Sequence, residues 1–269
     1  MYAHDPHTLH TIRQGSLDSV EHVTALDDDP YPSAVRPLLT PKAAELFRLM
    51  DTDTIAEVAS LRDEFARFLM RYKFGMDEIV TKLSILREEF SSTDGYNPIE
   101  NIACRLKTMD GVLEKMARKG VEPSFEAIRG TLSDIAGVRV TCSFVSDVYR
   151  IVDLLTTQQD VTVVEVKDYI AAPKSNGYRS LHVILDVPVF LSGGAEPVRV
   201  EVQFRTIAMD FWASLEHKTY YKFDTQVPQH LIDGLTGAAE TAAELDATME
   251  RLHREVRSYG VPTASVRAI

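Results

Sequence analysis

Tyr178, Ser180 and His182 stand at alternate positions just after the turn Lys174-Ser175-Asn176-Gly177. Their types suit a nucleotide: an aromatic ring stacks on a base, and lysine and histidine meet phosphate. The turn adds one cation and a glycine with the conformational freedom a tight reversal needs. A strand is predicted from Tyr178 to Leu185. Alternation along it puts Tyr178, Ser180 and His182 on one face and Leu181, Val183 and Leu185 on the other, with Arg179 at the mouth.

The next strand repeats the pattern. In VRVEVQFRT, Val198, Val200, Val202 and Phe204 form one face, and Arg199, Glu201, Gln203 and Arg205 the other. The link LSGGAEP reads as a hairpin loop, so the two strands should pair antiparallel. That pairing can bring both polar faces into one cleft. Plain solvent exposure is the alternative for such a face, since many antiparallel sheets are wet on one side. The gathering of Tyr, His, Glu, Gln and Arg favours the cleft.

These side chains need a scaffold. Val58, Leu61, Phe65, Phe68, Leu69, Tyr72, Met76, Ile79, Val80, Leu83, Leu86 and Phe90 follow helical spacing and predict a helix over 52–90. Gly75 is a candidate break in it, and Asp94-Gly95 and Pro98 end it. A second helix is predicted over 98–119, punctuated near Asp110-Gly111. It would carry Arg105, Lys107, Lys115, Arg118 and Lys119, with the last three on one face; a solvated basic face is the plain alternative. DIAGVRVTCSF reads as a strand, with Val138, Val140 and Cys142 pointing one way, Arg139, Thr141 and Ser143 the other, and Asp134 at the turn ahead. A helix over 147–158 and a strand over 161–167 complete a β-α-β unit whose strands should run parallel. With the hairpin, the sheet is mixed.

After the hairpin, 206–221 should be helical, with Ala208, Phe211, Trp212 and Leu215 as its buried stripe. A last helix is predicted over 228–258. Its Leu231, Leu235, Ala238, Ala242, Leu245, Met249, Leu252 and Val256 form a heptad stripe, which packs either on the protein's own sheet or on a second copy. Residues 1–50 show no sustained period and read as an extension, partly disordered, with a short helix from Pro41.

Composition narrows the function. The chain has 269 residues, 45% hydrophobic and 26% charged, which is ordinary for a globular protein. Its net charge of −11 argues against a protein that coats nucleic acid. The cations gather instead in mid-chain, from Arg105 to Arg179, and a local cationic pocket in an acidic protein suits a small polyanion. No apolar run reaches membrane-spanning length, and MYAHDPHTLH lacks the regions of a signal peptide. Cys104 and Cys142 give neither a disulfide framework nor a zinc spacing, so the chain reads as cytosolic with reduced thiols.

The chain resembles the small alarmone synthetases of the RelA/SpoT superfamily. The matching pieces are RLK at 105–107, DIAGVRV at 134–140, DYI at 168–170, PKSNGYRSLH at 173–182, EVQFRTIAMDFWASLEH at 201–217 and YK at 221–222. The resemblance implies an α/β (α+β) fold with a mixed sheet of nucleotidyltransferase type flanked by helices and a long C-terminal helix. Together with the periodicity, this divides the chain into an extension over 1–50, a synthetase domain over 51–222, and a C-terminal helix and tail over 223–269. It implies transfer of the β,γ-pyrophosphate of ATP to the 3′-hydroxyl of GDP or GTP, giving AMP and the alarmone of the stringent response, in the cytoplasm.

Site roles follow from the same resemblance. Asp134 would hold Mg²⁺. Glu201 would help with the metal and serve as, or orient, the base for the 3′-hydroxyl. Arg105 and Arg139 would sandwich adenine, with Lys107, Lys115 and Arg118 near the ATP phosphates. Tyr178 would stack on guanine. Lys174 and His182 would meet the acceptor phosphates, with Lys167 nearby. Asn176 and the backbone of Ala213 would lie at the guanine edge, and Gln203 and Arg205 would support the site. A homotetramer is expected, and single-stranded RNA is a candidate partner. Two other functions compete: pyrophosphate transfer to another acceptor, such as an adenosine nucleotide or a tRNA 3′ end, and a non-catalytic nucleotide- or RNA-binding regulator.

Overall fold

The computed structural model describes residues 51–93, 95–220 and 228–259. The expected extension over 1–50, with its helix from Pro41, and the YK pair at 221–222 lie outside the described residues. The elements are α1 (Thr52–Thr93), β1 (Ile99–Leu106), α2 (Met109–Lys119), α3 (Phe125–Thr131), β2 (Ala136–Cys142), α4 (Val145–Thr156), β3 (Thr162–Asp168), β4 (Leu181–Leu191), β5 (Gly194–Thr206), α5 (Ile207–Tyr220) and α6 (Gln229–Ser258).

The five strands form one mixed sheet in the order β1-β2-β5-β4-β3. β2 and β5 are parallel neighbours, and the other pairs are antiparallel. The two strands of the expected β-α-β unit, β2 and β3, do run the same way, but the β4–β5 hairpin lies between them. That hairpin is also tighter than its sequence suggests. Leu191 pairs with Gly194 around Ser192-Gly193, so most of LSGGAEP is strand.

One face of the sheet is apolar. Val138, Val140, Val183, Val200, Val202 and Phe204 are all buried there. α1 crosses this face on Phe68, Tyr72, Met76, Ile79 and Leu83, whose steps of three and four keep them on one stripe. Gly75 does not break α1. A Cβ there would fall 2.6 Å from Val198 Cγ1, so the glycine lets helix backbone lie directly on β5.

Residues 98–119 are not one helix. Ile99–Leu106 is the edge strand β1, antiparallel to β2, and only Met109–Lys119 is helical. The reason is a bulge: Glu100 is an extra residue between Ile99 and Asn101, which face consecutive residues of β2. The bulge spaces the buried Ile99, Ile102 and Ala103 as a helix would. Thr108 then caps α2, its hydroxyl accepting from the Gly111 amide at 3.1 Å. The short α3, not anticipated from the sequence, is capped in the same way by Ser124 and packs Phe125 on Phe65 and Phe68.

α5 buries a different stripe from the expected one. Met209, Trp212 and Ala213 face inward, while Phe211 and Leu215 are exposed. The start of the helix sets this rotation: Thr206 accepts from the Met209 amide, and Arg205 holds Asp210. α6 packs on its own chain through Ala239, Asp246 and His253, one heptad apart. Leu245, Met249, Leu252 and Val256 of the expected stripe remain exposed.

Candidate active site

The polar face of the sheet carries the site. On β5, Glu201, Gln203 and Arg205 point the same way at alternate positions, and the Gln203 amide bridges its neighbours. Its Nε2 donates to Glu201 at 2.9 Å, and its Oε1 accepts from Arg205 Nη2 at 3.3 Å. On β4, His182 sits opposite Gln203 in register, with Nδ1 3.3 Å from Glu201 Oε1. Nε2 of the same ring is 2.8 Å from the Tyr178 hydroxyl, which also accepts from Arg205 Nη2 at 2.8 Å. Glu201, Gln203, Arg205, Tyr178 and His182 thus close a ring of side-chain hydrogen bonds. A carboxylate only accepts, so the Glu201 contact needs a proton on His182 Nδ1, and in the neutral ring Nε2 then accepts from the Tyr178 hydroxyl.

Burial pushes the Glu201 carboxyl up, but hydrogen bonds from His182 and Gln203 outweigh it and hold the group below the usual glutamate range. The charge of Asp134 bears on Glu201 across the parallel pairing, where Gly137 faces Glu201. Asp134 itself is set between the fully buried Leu132 and Ile135. Its Oδ2 receives Lys107 Nζ at 3.3 Å and Lys115 Nζ. Burial raises this carboxyl too, and the two lysines win, leaving it depressed. Its other oxygen, Oδ1, is buried with no hydrogen-bond partner.

The remaining cations are distributed unevenly. Arg139 on β2 meets Asp210 of α5 at 3.4 Å, and Arg105 comes close enough for its charge to act on Arg139. Arg118 is exposed on α2, and it has no ion pair among the described residues. Lys167 faces His182 across β3–β4 and pairs with Glu165 at 2.9 Å. Lys174 lies over two rings, 4.6 Å from the centre of Tyr169 and 4.7 Å from that of Tyr178.

The turn is held from both sides. The Asn176 carbonyl accepts from the Tyr178 amide at 3.1 Å, and its Nδ2 donates to Glu216 of α5 at 3.3 Å. Gly177 has φ 87°. Trp212, Ala213 and Ala239 form a small apolar cluster with Tyr178 and Leu235 against it. Of the residues named from the sequence, the structure therefore joins Asp134, Lys107 and Lys115 in one group. It joins Glu201, Gln203, Arg205, Tyr178 and His182 in another. His182 has both ring nitrogens engaged within that ring. The sequence reading missed Asp210, Glu216 and Tyr169, although all three lie inside the quoted motifs.

Among the described residues, no group of three or more His, Cys, Asp or Glu could hold a metal ion. Mg²⁺ asks for less, since one or two carboxylates and the substrate's phosphates suffice. The unpartnered Asp134 Oδ1, with Glu201 nearby, fits that demand.

The chain is similar to known proteins. Residues 104–226 match the region found in RelA / SpoT proteins. The chain is 46% identical over 200 residues to the GTP pyrophosphokinase YwaC of Bacillus subtilis (strain 168), covering 74% of this chain and 95% of that one. Among solved structures, the small alarmone synthetase 2 from Bacillus subtilis aligns with a TM-score of 0.63 at 48% identity, covering 70% of this chain and 97% of that chain. The small alarmone synthetase 1 from Bacillus subtilis, bound to its product pppGpp, aligns with a TM-score of 0.66 at 37% identity. That alignment covers 72% of this chain and 98% of the other.

Proposed function

Because the chain belongs to the small alarmone synthetases of the RelA/SpoT family, we infer that it is a (p)ppGpp synthetase, transferring pyrophosphate from ATP to the 3′-hydroxyl of GDP or GTP. The observation that carries this is the closed ring around Glu201, set beside Asp134 and its two lysines. In the reaction the 3′-oxygen attacks the β-phosphorus of ATP and the bond from that phosphorus to the α,β-bridging oxygen breaks. AMP leaves with the electron pair, and the 3′-hydroxyl proton must be taken up.

Glu201 suits that uptake. It is held ionised by His182 and Gln203, which also fix its direction. Asp134 would hold Mg²⁺ together with Glu201, and the ion, when bound, would neutralise phosphate charge. Lys107 and Lys115 are then placed for the donor's phosphates, with Arg118 at the exposed margin. Transfers of this kind need positioning and charge neutralisation more than covalent help.

Arg105 and Arg139, on neighbouring strands, would take adenine between them, since a guanidinium stacks without losing its charge. Tyr178 is placed for guanine, with Lys174 over its ring and Asn176 and Ala213 alongside. Lys167, in register with His182, would lie near the acceptor's phosphates, while His182 would act through its hold on Glu201 and Tyr178. The test is the purified protein with ATP, GDP or GTP, and Mg²⁺, with products separated by ion-exchange chromatography. AMP and a tetra- or pentaphosphate should appear together. Their absence, with a folded protein, would overturn the reading.

A homotetramer belongs to the same proposal. It is supported by the exposed stripe Leu245, Met249, Leu252 and Val256 on α6. Light scattering after size exclusion should give four chain masses. A cytoplasmic setting is supported by the free thiols Cys104 and Cys142, and no described helix is long and apolar enough to cross a membrane.

A further inference from the structure

One carboxylate, Asp210, lies outside both groups of site residues and ties Arg205 of the second group to Arg139 of β2. Its Oδ1 accepts from Arg205 Nη1 at 3.0 Å and forms an ion pair with Arg139 Nη1 at 3.4 Å. Arg205 is the cation of the hydrogen-bonded ring. Its Nη2 donates to the Tyr178 hydroxyl, and its Cζ stands 5.3 Å from the centre of the Tyr178 ring. Arg139 is the cation beside Arg105. One oxygen atom therefore joins the tyrosine's guanidinium to the guanidinium of the β1–β2 pair.

The two arginines need that oxygen. Arg205 is buried and also reaches Tyr178 and Gln203 through Nη2, but among the described residues Asp210 is the one carboxylate that pairs with either arginine, and the Nε atoms of both are buried without a partner. Burial first, and then the charge of Arg205, pull the Arg139 guanidinium down, while Asp210 pushes back. Removal of the negative charge would leave two desolvated cations facing each other.

Asp210 is also well fixed. It sits in the first turn of α5, where a carboxylate meets the positive end of the helix. Thr206 caps that turn through the Met209 amide, and its hydroxyl donates to the buried Asp246 of α6 at 2.6 Å. A shift in Arg139 or Arg205 is therefore met by a rigid partner.

We propose that Asp210 is a positioning residue that couples the donor and acceptor subsites by holding Arg139 and Arg205 on a single oxygen. Because both guanidiniums share this one oxygen, seating a base against Arg139 sets its hold on Asp210, which sets the hold left for Arg205 and so the position of the Tyr178 ring. Coupling is reciprocal: a donor analogue should tighten acceptor binding by the factor by which the acceptor tightens the donor. Asp210 touches neither substrate in this scheme. The proposal rests on the pyrophosphate-transfer reading for the identity of the two bases.

The experiment is calorimetric titration of GDP, with Mg²⁺, in the absence and presence of a saturating non-hydrolysable ATP analogue. The wild-type protein and the Asp210→Asn and Asp210→Glu variants are compared, with turnover kinetics beside each. In the wild type the analogue should tighten GDP binding by about 5- to 150-fold, the usual range of such couplings. In Asp210→Asn the factor should fall to about one, with KM for both substrates raised more than kcat is lowered. Asp210→Glu keeps the charge and should recover part of the factor, which a purely structural loss would not. If Asp210→Asn is unfolded, the glutamate variant decides alone: a factor between one and the wild-type value supports the proposal. A factor equal to the wild type's in any folded variant, or a wild-type factor of one, overturns it. A wild-type protein that makes no alarmone refutes the underlying reading. Alarmone synthesis with unchanged coupling in Asp210→Asn refutes only this inference.

Discussion

Ala239 of the last helix occupies the space a side chain on Gly177 would need. A Cβ on Gly177 would fall 2.5 Å from the Ala239 Cβ, and the glycine's φ of 87° is unfavourable for any other residue. The turn that presents Asn176 and Tyr178 is thus pressed against α6. Gly177→Ala should cost about 1–3 kcal/mol in backbone strain alone, before the clash. Adding Ala239→Gly should return the clash portion and leave the strain. Melting curves of the two single variants and the double variant check this. Strict additivity of the two changes would mean that the residues do not meet.

Both carboxylates should be required for turnover. Glu201→Gln keeps the Gln203 contact but cannot accept a proton, and loss of a general base typically costs about 10²- to 10⁴-fold. Asp134→Asn keeps the shape but leaves Lys107 and Lys115 without their counter-charge. Steady-state rates, with circular dichroism to confirm folding, decide the matter. Near-wild-type turnover in both would displace the proposed site.

Tyr178 should divide into two contributions. Tyr178→Ala removes the ring, worth about 1–3 kcal/mol for base stacking. Acceptor KM should then rise about 5- to 150-fold, with much less change for ATP. Tyr178→Phe keeps the ring but strips a partner from both His182 and Arg205. It should therefore keep acceptor affinity while lowering turnover. Acceptor saturation curves for both variants separate the effects, and an unchanged KM in the alanine variant would rule out stacking here.

The buried Asp246 should leave a mark on the pH dependence of stability. Burial raises its carboxyl above the ordinary aspartate value, against the opposing hydrogen bond from Thr206. A raised acid binds its proton more tightly folded than unfolded. Stability should therefore fall as pH rises from about 4, the ordinary aspartate value, through the raised value, and stay lowered above it. Asp246→Asn still accepts from Thr206 and has no such fall. Asp246→Ala leaves the proton of the fully buried Thr206 hydroxyl without an acceptor, costing about 1–3 kcal/mol at every pH. Urea unfolding of the three proteins across acid pH tests the sign. A wild-type-minus-Asn difference independent of pH would refute it.

Much of this arrangement was legible in the residues. Strict alternation in VRVEVQFRT placed Glu201, Gln203 and Arg205 together correctly, because β5 is a regular central strand with one apolar face. Ile99–Leu106 was misread because a bulge destroys alternation, and Arg105 and Lys107 moved with it from a helix to a strand and its exit. The partnership of Asp134 with Glu201 depends on β2 lying next to β5, and nothing local encodes that adjacency. Asp210 was overlooked because its partners are set by the rotation of α5, and an apolar count along that helix chose the wrong face.

The parallel pairing of β2 with β5 also sets an order of events during synthesis. One helix and two strands, α4, β3 and β4, separate the two in the chain, so Asp134 leaves the ribosome well before Glu201 has a strand to stand on. Pairings so distant in sequence form slowly and late. A nascent chain ending before β5 can form the β1–β2 ribbon and α1, yet it holds only half of the carboxylate pair. Catalytic competence should then appear in one step, when the hairpin inserts between β2 and β3 and the sheet closes.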